Sequence, residues 1–227
     1  MDDQIDKKFN SLRYAHAFSI TDSDQFRLEK VLSFIGNNKK VLDIGCGDGF
    51  VMEKIKKQRN AVSGIEISIP SIRSARKRGF VVYDISLNDI HWSKKIKQKF
   101  DVVWVGEVIE HIFDTDSFLE NVRRVLKKDG KMVLSTPNLA SFGRRILHLF
   151  GINPLLETTA RKQDAGHIRY FTFRNLTQLL KEHRFDVEQI TSSVVNFDNS
   201  GKHFSKTLAD IFPHLGNTII VKARKMT

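Results

Sequence analysis

Two carboxylates and an imidazole follow one apolar segment of this chain at spacings that could support catalysis. Glu107, Glu110 and His111 lie three and four positions apart, shortly after the apolar run 100–105. On a helical turn those spacings put side chains on one face, so we expect the three groups to converge. Such a cluster can supply a general base, with His111 as the first candidate, or can bind a hard divalent cation such as Mg²⁺ or Mn²⁺. A second imidazole, His167, could complete either arrangement.

The segment 41–49 carries the strongest pattern in the chain, because an apolar run leads into Asp43 and then into three alternating glycines. Gly45 and Gly47 have no Cβ atom, so the backbone can turn sharply there and approach a ligand closely. A strand that runs through such a turn into a helix forms the ligand-binding corner of an open α/β sheet. We therefore expect a cofactor at this turn, in contact with Asp43, Gly45, Cys46 and Gly47.

Two further acids lie at the ends of the next two predicted strands. Glu66 follows the glycine turn by about twenty residues, where a carboxylate can accept hydrogen bonds from both ribose hydroxyls of an adenosine cofactor. Asp84 ends the following strand, where the carboxylate or the neighbouring backbone can meet the adenine amino group. The remaining positions expected to contact the cofactor are Ile67, Ile85, Gly106 and Glu107.

Alternating strand and helix patterns predict an α/β fold with one seven-stranded, mostly parallel sheet, helices on both faces and an antiparallel last strand. The predicted strands are 40–44, 61–67, 80–83, 100–105, 131–135, 186–192 and 218–223. Later helices are predicted at 50–57, 70–78, 117–126 and 172–183. Asp22 or Ser23 is expected to cap the first helix, and the turn 128–130 is expected to stop the helix before the fifth strand.

These motifs together resemble the class I S-adenosylmethionine-dependent methyltransferases over roughly residues 25–140. The glycine turn has Gly-x-Gly-x-Gly spacing rather than the Gly-x-Gly-x-x-Gly of nicotinamide sites, and 124–131 matches a family landmark with Lys128-Asp129 in place of Pro-Gly. The resemblance implies a Rossmann-like fold, S-adenosyl-L-methionine as cofactor and S-adenosyl-L-homocysteine as product. It also implies that Asp43 lies near the ammonium end of the cofactor.

Two groups within that family share the acid–histidine pattern. Ubiquinone-biosynthesis O-methyltransferases carry the same Glu-x-x-Glu-His motif, which implies O-methylation of a small-molecule or lipid-like acceptor. Small-RNA 3′-end 2′-O-methyltransferases carry Glu-Val-Ile-Glu-His, Ser-Thr-Pro-Asn and a later histidine, which implies methylation of an RNA ribose. In the RNA group these residues bind a divalent metal, and the corresponding positions here are Glu107, Glu110, His111 and His167. Many relatives carry a similar cluster without a metal, so catalytic roles for Glu110, His111 and His167 that need no metal stay open.

Residues 139–165 lie between the fifth strand and the next helix, where this fold carries its acceptor-recognition elements. Four apolar residues share one helical face: Phe142, Ile146, Leu149 and Phe150. Arg144, Arg145 and His148 lie on the other faces. The pattern predicts a lid helix packed on the domain, but a basic amphipathic helix can also lie on an anionic membrane surface.

Length and composition predict a single domain. The chain has 227 residues, of which 41% are hydrophobic, enough for one full α/β core. We expect an N-terminal helical cap at 1–36, a cofactor-binding core at 37–138, an acceptor-side insertion at 139–171, and a C-terminal helix with strands at 172–227.

The net charge of +11 favours anionic partners, RNA or an acidic membrane surface, beside a small-molecule acceptor. No apolar run approaches the ~20 residues that span a bilayer. The start of the sequence is acidic and polar, unlike a secretory signal, and a single cysteine suits a reducing compartment. We therefore expect a cytoplasmic protein, with peripheral attachment to a membrane as the alternative.

Overall fold

The structure is a computed structural model that describes residues 21–152, 166–197 and 203–226. The strands are β1 (Lys40–Ile44), β2 (Ala61–Glu66), β3 (Val81–Asp84), β4 (Phe100–Gly106), β5 (Leu126–Pro137), β6 (Phe185–Ser192), β7 (Val195–Asn196), β8 (Phe204–Ser205) and β9 (Thr218–Lys225). The helices are α1 (Asp22–Ile35), α2 (Phe50–Lys57), α3 (Ile69–Lys77), α4 (Thr115–Val125), α5 (Phe142–Leu149), α6 (Phe173–Glu182) and α7 (Lys206–Ile211). Residues 1–20 of the predicted N-terminal cap and 153–165 of the predicted insertion lie outside this description.

One seven-stranded sheet organises the described chain, with strand order β3-β2-β1-β4-β5-β9-β6. Strands β1 to β5 pair in parallel, and β9 runs antiparallel between β5 and β6. The predicted fold, including its antiparallel last strand, is confirmed. Because β3, β2, β1 and β4 are parallel neighbours, their carboxyl ends meet along one edge of the sheet.

The first helix is capped one or two residues earlier than predicted. Its N-cap is Thr21, not Asp22 or Ser23, and the Thr21 hydroxyl accepts a hydrogen bond from the Asp24 backbone N–H at 3.2 Å. The Asp24 carboxylate accepts one in return from the Thr21 N–H, so a reciprocal capping box selects Thr21. The predicted cap at Thr172 is confirmed at the start of α6.

The predicted turn at 128–130 interrupts a strand rather than standing between a helix and a strand. Leu126 already pairs with Phe100, and the next pair is Lys131 with Val102, so the intervening residues loop out of the ladder. Asp129 adopts a left-handed φ of 58° within this loop. Because β5 has more residues than β4 in this stretch, the pairing contains a β-bulge. Side chains in a bulge do not alternate regularly between the two faces of the sheet, so the sequence lacks the alternating apolar pattern of a strand at these positions.

The sheet buries a different apolar layer on each face, because alternate strand residues point to opposite sides. Val133 of β5 packs in a cluster with Val31 and Ile35 of α1. Leu134, the next residue, packs in the other cluster with side chains from α4 and α6 such as Phe118. This alternation continues to the end of β5 and decides where the polar residues beyond Leu134 point.

Helix α5 confirms the predicted helical periodicity, but its apolar face is not packed as a closed lid. Phe142 is 37% exposed and Leu149 is 83% exposed, and α5 has no buried residue. Phe142 meets the ring of Phe197 edge-on at 6.2 Å between centroids. The helix is anchored instead by Arg144, whose Nη1 donates to the backbone oxygen of Asn138 at 2.6 Å.

The short ladder of β7 and β8 and the helix α7 were not predicted. Two-residue strands contain too few positions for a period-2 pattern to register. None of the described helices has the length and apolar character needed to cross a membrane.

Candidate active site

The glycine turn after β1 leaves an opening at the sheet edge. Gly45 and Gly47 have φ values of 73° and 55°, in the left-handed region that favours glycine. A Cβ atom on Gly45 would lie 2.6 Å from Cγ2 of Val108, so packing also requires glycine there. A Cβ on Gly47 would meet no described atom within 4 Å. The space in front of Gly47 can therefore receive a ligand that comes close to the backbone.

Asp43 lies buried behind this turn, at 2% exposure. Burial, and secondly the charge of Glu66, raises the pKa of the Asp43 carboxyl well above its ordinary value. Its Oδ2 atom has no hydrogen-bond partner within the described residues. Buried polar atoms in folded proteins are normally paired, so this oxygen fits a donor or a cationic group brought by a ligand.

The Glu66 carboxylate ties the glycine turn to the start of α3. One oxygen accepts from the Gly47 N–H at 2.9 Å, and the other accepts from the N–H groups of Ile67 and Ser68 at 2.8 Å each. A carboxylate offers about four acceptor positions, so capacity remains for a ligand hydroxyl. Asp84 pairs in register with Glu66 on the neighbouring strand, which brings the second and third acids side by side.

Two other predicted cofactor positions are buried packing residues. Ile85 is buried next to Asp84. Cys46 lies so close to Gly64 that a Cβ there would come within 2.4 Å of the Cys46 sulfur. Burial raises the pKa of the Cys46 thiol, which keeps it protonated and unreactive. Cys46 therefore fills space under the turn.

Glu107 adopts a left-handed conformation at the end of β4, with φ at 54°. Non-glycine residues in that region are uncommon and cluster at functional sites. The Glu107 N–H donates to the backbone oxygen of Ser135 at 3.0 Å. Its carboxylate Oε1 accepts from the Ser135 hydroxyl at 2.7 Å and lies 3.0 Å from Nη1 of Arg27 on α1. Gly106 precedes it and has no room for a Cβ, which would lie 2.3 Å from the Trp104 ring.

Glu110 is buried on the other side of the sheet edge, in a 3₁₀ turn at Ile109–His111. Its Oε2 accepts from the Thr136 hydroxyl at 3.0 Å. Its Oε1 has no hydrogen-bond partner in the described chain and lies 3.9 Å from Nε2 of His167. Burial, and secondly the charge of Glu107, raises the pKa of the Glu110 carboxyl to about 8.

His111 and His167 face each other with 5.0 Å between ring centroids. Nδ1 of His111 lies 3.0 Å from the backbone oxygen of Gly166. Because a carbonyl can only accept, Nδ1 carries the proton and Nε2 is the basic nitrogen of the neutral ring. The N–H groups of Ile168 and Arg169 donate to the Glu110 backbone oxygen, which holds the His167 segment against the turn.

Glu110, His111 and His167 form the only part of the predicted cluster whose ligand atoms, among the described residues, all lie within 4.8 Å of one another. The expectation that Glu107 shares a face with Glu110 and His111 is wrong for the described structure. Positions i, i+3 and i+4 share a face only on a continuous helix, and the left-handed Glu107 breaks the helical path before Ile109. Glu107 is held instead by Arg27 of α1 and by Ser135, and only its charge acts on Glu110.

Arg27 and Thr136 contact the site but were not predicted to do so. Arg27 is one of many basic residues and lies on a helix 80 positions before Glu107, so no local pattern singles it out. Thr136 falls in the predicted Ser-Thr-Pro-Asn motif, but only its buried contact with Glu110 gives it a role.

We expect Glu110→Gln to stabilise the protein at high pH. The pKa of the folded-state carboxyl, about 8, exceeds the ordinary 4.5, so ionising it costs stability progressively as pH rises from about 4.5 to about 8. Glutamine does not titrate, and the gain between pH 5 and pH 9 should be on the order of a few kcal/mol, at about 1.4 kcal/mol per unit of pKa. Urea unfolding at the two pH values measures the gain. The surface change Glu182→Gln is the control, and equal gains at both pH values would contradict the expectation.

Comparison with known proteins gives the following matches. Residues 23–190 match the family model described as a methyltransferase domain. The chain is 33% identical over 108 residues to the ubiquinone biosynthesis O-methyltransferase of Histophilus somni, covering 44% of this chain and 45% of that protein. It is 36% identical over 104 residues to the protein of the same name from Pelagibacter ubique, covering 44% and 43%. The mitochondrial ubiquinone biosynthesis O-methyltransferase of Schizosaccharomyces pombe is 28% identical over 170 residues, covering 70% and 60%. The matches thus span about half the length of these relatives.

Solved structures share the fold at low sequence identity. A SAM-dependent methyltransferase from Archaeoglobus fulgidus superposes with a TM-score of 0.65 and 18% identity, covering 98% of each chain. Magnesium protoporphyrin IX methyltransferase from Synechocystis, with bound S-adenosylhomocysteine, superposes with a TM-score of 0.63 and 13% identity, covering 99% of this chain and 100% of that one. The whole described sheet is therefore of the kind found in these structures.

Proposed function

This chain belongs to the methyltransferase-domain family, and from that membership we propose that it transfers a methyl group from S-adenosylmethionine to a hydroxyl oxygen of a small or lipid-like acceptor. One observation carries the proposal: an open glycine turn with a buried acid meets, at the same sheet edge, a buried carboxylate with two half-buried imidazoles. S-adenosylmethionine, when bound, supplies an electrophilic methyl carbon and leaves as S-adenosylhomocysteine.

The first half of the site would bind the cofactor. Oδ2 of Asp43, which no described residue contacts by a hydrogen bond, suits the ammonium group, and the remaining acceptor position of Glu66 suits a ribose hydroxyl. Asp84 and its neighbouring backbone are next along the edge and suit the adenine amino group. Gly47 supports this assignment, because the space in front of it is open to a close ligand.

The second half of the site would activate the acceptor. A hydroxyl must lose its proton as the new bond to carbon forms, and a neutral imidazole can accept that proton. Nε2 is the basic nitrogen of His111, because Nδ1 is engaged by the Gly166 carbonyl. Glu110 lies 3.9 Å from His167 and would orient that ring. The site would thus hold the acceptor oxygen in line with the methyl group, which is the main requirement of the reaction.

The same cluster also fits a divalent cation. Glu110, His111 and His167 offer one carboxylate and two imidazoles within mutual reach, a set that suits Mg²⁺ poorly and Mn²⁺ better. A cation held there would supply Lewis-acid activation of the acceptor hydroxyl. Glu107 is not part of this group, so three of the four predicted metal ligands remain. We propose the metal-free base because only three of the four predicted ligands lie within reach of one another among the described residues, and Nε2 of His111 is the basic nitrogen beside them.

A phenolic acceptor with an apolar tail suits both the relatives and the insertion. Three relatives are named ubiquinone biosynthesis O-methyltransferases. Helix α5 exposes an apolar face that begins a few residues after Thr136 and ends at Leu149. Exposed apolar surface of this kind often marks a binding surface. An apolar tail could lie along this face while its hydroxyl reaches His111.

Methyl transfer from radiolabelled S-adenosylmethionine tests the proposal directly. The protein is incubated in parallel with a water-soluble catechol, with a short-chain prenylated catechol in phospholipid vesicles, and with total RNA. We expect label in the catechol products, with higher kcat/KM for the prenylated compound. Label confined to RNA would replace the proposal with ribose methylation, and a lack of label in all three would refute a hydroxyl acceptor of these classes.

Glu66→Ala should weaken cofactor binding without unfolding the protein. A ribose hydroxyl would lose a charged acceptor, which is worth ~1–3 kcal/mol, or roughly 5- to 150-fold in affinity. Calorimetric titration with S-adenosylhomocysteine measures the loss. Glu53→Ala on α2 serves as a matched control, since its carboxylate contacts only Arg78 among the ion pairs of the described chain. Unchanged affinity in a folded Glu66→Ala protein would remove Glu66 from the site.

The double change Phe142→Asp and Phe150→Asp should lower activity on the prenylated acceptor and leave cofactor affinity intact. A buried phenylalanine contributes ~1.5–3 kcal/mol, so kcat/KM should fall roughly 10- to 100-fold if the tail lies on this face. The matched control is Val81→Asp with Met226→Asp, two exposed apolar residues outside α5. Unaffected turnover and unaffected vesicle flotation would show that α5 contacts neither acceptor nor membrane.

A further inference from the structure

Two adjacent hydroxyl residues end β5 beside the two site carboxylates. Ser135 and Thr136 are both fully buried. Ser135 continues the face of Val133, which packs with α1, and Thr136 continues the face of Leu134, which packs with α4 and α6. Consecutive strand residues thus present one hydroxyl to each side of the sheet edge.

Each hydroxyl donates to a different carboxylate. Ser135 Oγ donates to Oε1 of Glu107 at 2.7 Å, on the side where Arg27 of α1 also reaches Glu107. Thr136 Oγ1 donates to Oε2 of Glu110 at 3.0 Å, on the side of His167. Glu107 is next to Val108, which touches the glycine turn, whereas Glu110 belongs to the imidazole cluster. The pair of hydroxyls therefore separates the carboxylate of Glu107, whose neighbour in the chain packs on the glycine turn, from a carboxylate beside the imidazoles.

We propose that Ser135 and Thr136 are positioning residues that assign the two carboxylates to different tasks: Ser135 holds Glu107 for cofactor binding, and Thr136 holds Glu110 for the acceptor reaction. This inference rests on the proposed function of the same site. A donor on one oxygen of a buried carboxylate fixes the direction of the other oxygen. Thr136 thereby directs Oε1 of Glu110 toward His167, and without that hydroxyl the buried carboxyl would lose its one side-chain donor in the described chain, which favours reorientation.

Four variants separate the two tasks. Ser135→Ala and Thr136→Val remove one hydroxyl each, and Thr136→Val is close to isosteric. Ser135→Thr and Thr136→Ser keep the hydroxyl and should rescue. We expect Ser135→Ala to raise the dissociation constant of S-adenosylhomocysteine roughly tenfold while kcat at saturating cofactor changes little. We expect Thr136→Val to lower kcat on the catechol probe roughly tenfold or more while that dissociation constant stays within about twofold.

A spectroscopic measurement tests the Thr136 contact without any turnover. The Cε1–H resonance of His167, assigned with His167→Gln, should shift in Thr136→Val and stay in place in Ser135→Ala and Thr136→Ser. If Thr136→Val does not fold, Thr136→Cys keeps the volume with a weaker donor and should shift the same resonance.

The outcomes are distinguishable from failure of the proposed function. If the wild-type protein methylates no catechol, the proposed hydroxyl acceptor is refuted. The calorimetry on Ser135→Ala and the His167 resonance in Thr136→Val still test whether Ser135 and Thr136 position the two carboxylates. The inference is overturned if both hydroxyl deletions change the same quantity, if neither changes its own, or if the conservative variants fail to rescue.

Discussion

His111→Ala is expected to lower kcat by roughly 10²- to 10⁴-fold, the range that a positioned general base contributes. His111 holds its proton on Nδ1 against the Gly166 carbonyl, so Nε2 is the nitrogen that can take a proton from an acceptor hydroxyl. Affinity for S-adenosylhomocysteine should stay close to that of the wild-type protein, because the imidazole lies on the acceptor side. Steady-state kinetics on the catechol probe and calorimetry measure the two quantities. His91→Ala, an exposed histidine before the Trp92–Lys95 turn, is the matched control.

A chelator distinguishes this base from a cation site. We expect ethylenediaminetetraacetate to leave the wild-type rate unchanged and the pH–rate profile to have an ascending limb that His111→Ala lacks. His167→Ala should reduce kcat only moderately if it positions the acceptor. Loss of activity with chelator, recovery with Mn²⁺ or Mg²⁺, and equally large losses for Glu110, His111 and His167 variants would instead assign the cluster to a divalent cation. Full activity in the double variant His111→Ala, His167→Ala would exclude both mechanisms.

Gly47→Val is expected to weaken S-adenosylhomocysteine binding by at least about 100-fold. The backbone at Gly47 has a φ of 55°, which a β-branched residue adopts only with strain. The added side chain would also enter the open space in front of the turn, where no described atom lies within 4 Å of a Cβ. Strain and occupation of the ligand's space therefore act together, and titration calorimetry on the folded variant measures the result.

The variant Gly79→Val separates the effect of backbone strain from the effect of filling the ligand's space, which together weaken binding in Gly47→Val. Gly79 has a φ of 83°, and a Cβ added there would likewise meet no described atom within 4 Å, but this glycine lies in the turn between α3 and β3. Both valine variants should lose stability by a similar amount in urea unfolding, and only Gly47→Val should lose the cofactor. Normal binding by Gly47→Val would mean that the turn faces away from the ligand, while loss of binding in both would point to strain alone.

Local sequence was sufficient for the elements that carry the site. Helix α2 and strand β1 begin and end where the apolar pattern and the glycines predict, because period and turn chemistry act over a few residues. The start of helix α1 was harder to predict, because it depends on reciprocal hydrogen bonds between Thr21 and Asp24. The bulge between Leu126 and Lys131 was also beyond local pattern, since it is defined by pairing with a strand more than twenty residues earlier.

The sequence by itself determined the sheet, the glycine turn and the acids at consecutive strand ends, because parallel strands necessarily bring their carboxyl ends to one edge. Only the tertiary structure decided how the carboxylates are divided. A left-handed backbone at Glu107 sends one toward Arg27, and burial beside Thr136 keeps Glu110 with His111 and His167. Spacing along the chain predicts a shared face only if the backbone stays helical, and the direction of a side chain after a single left-handed residue depends on contacts with strands and helices far away in sequence.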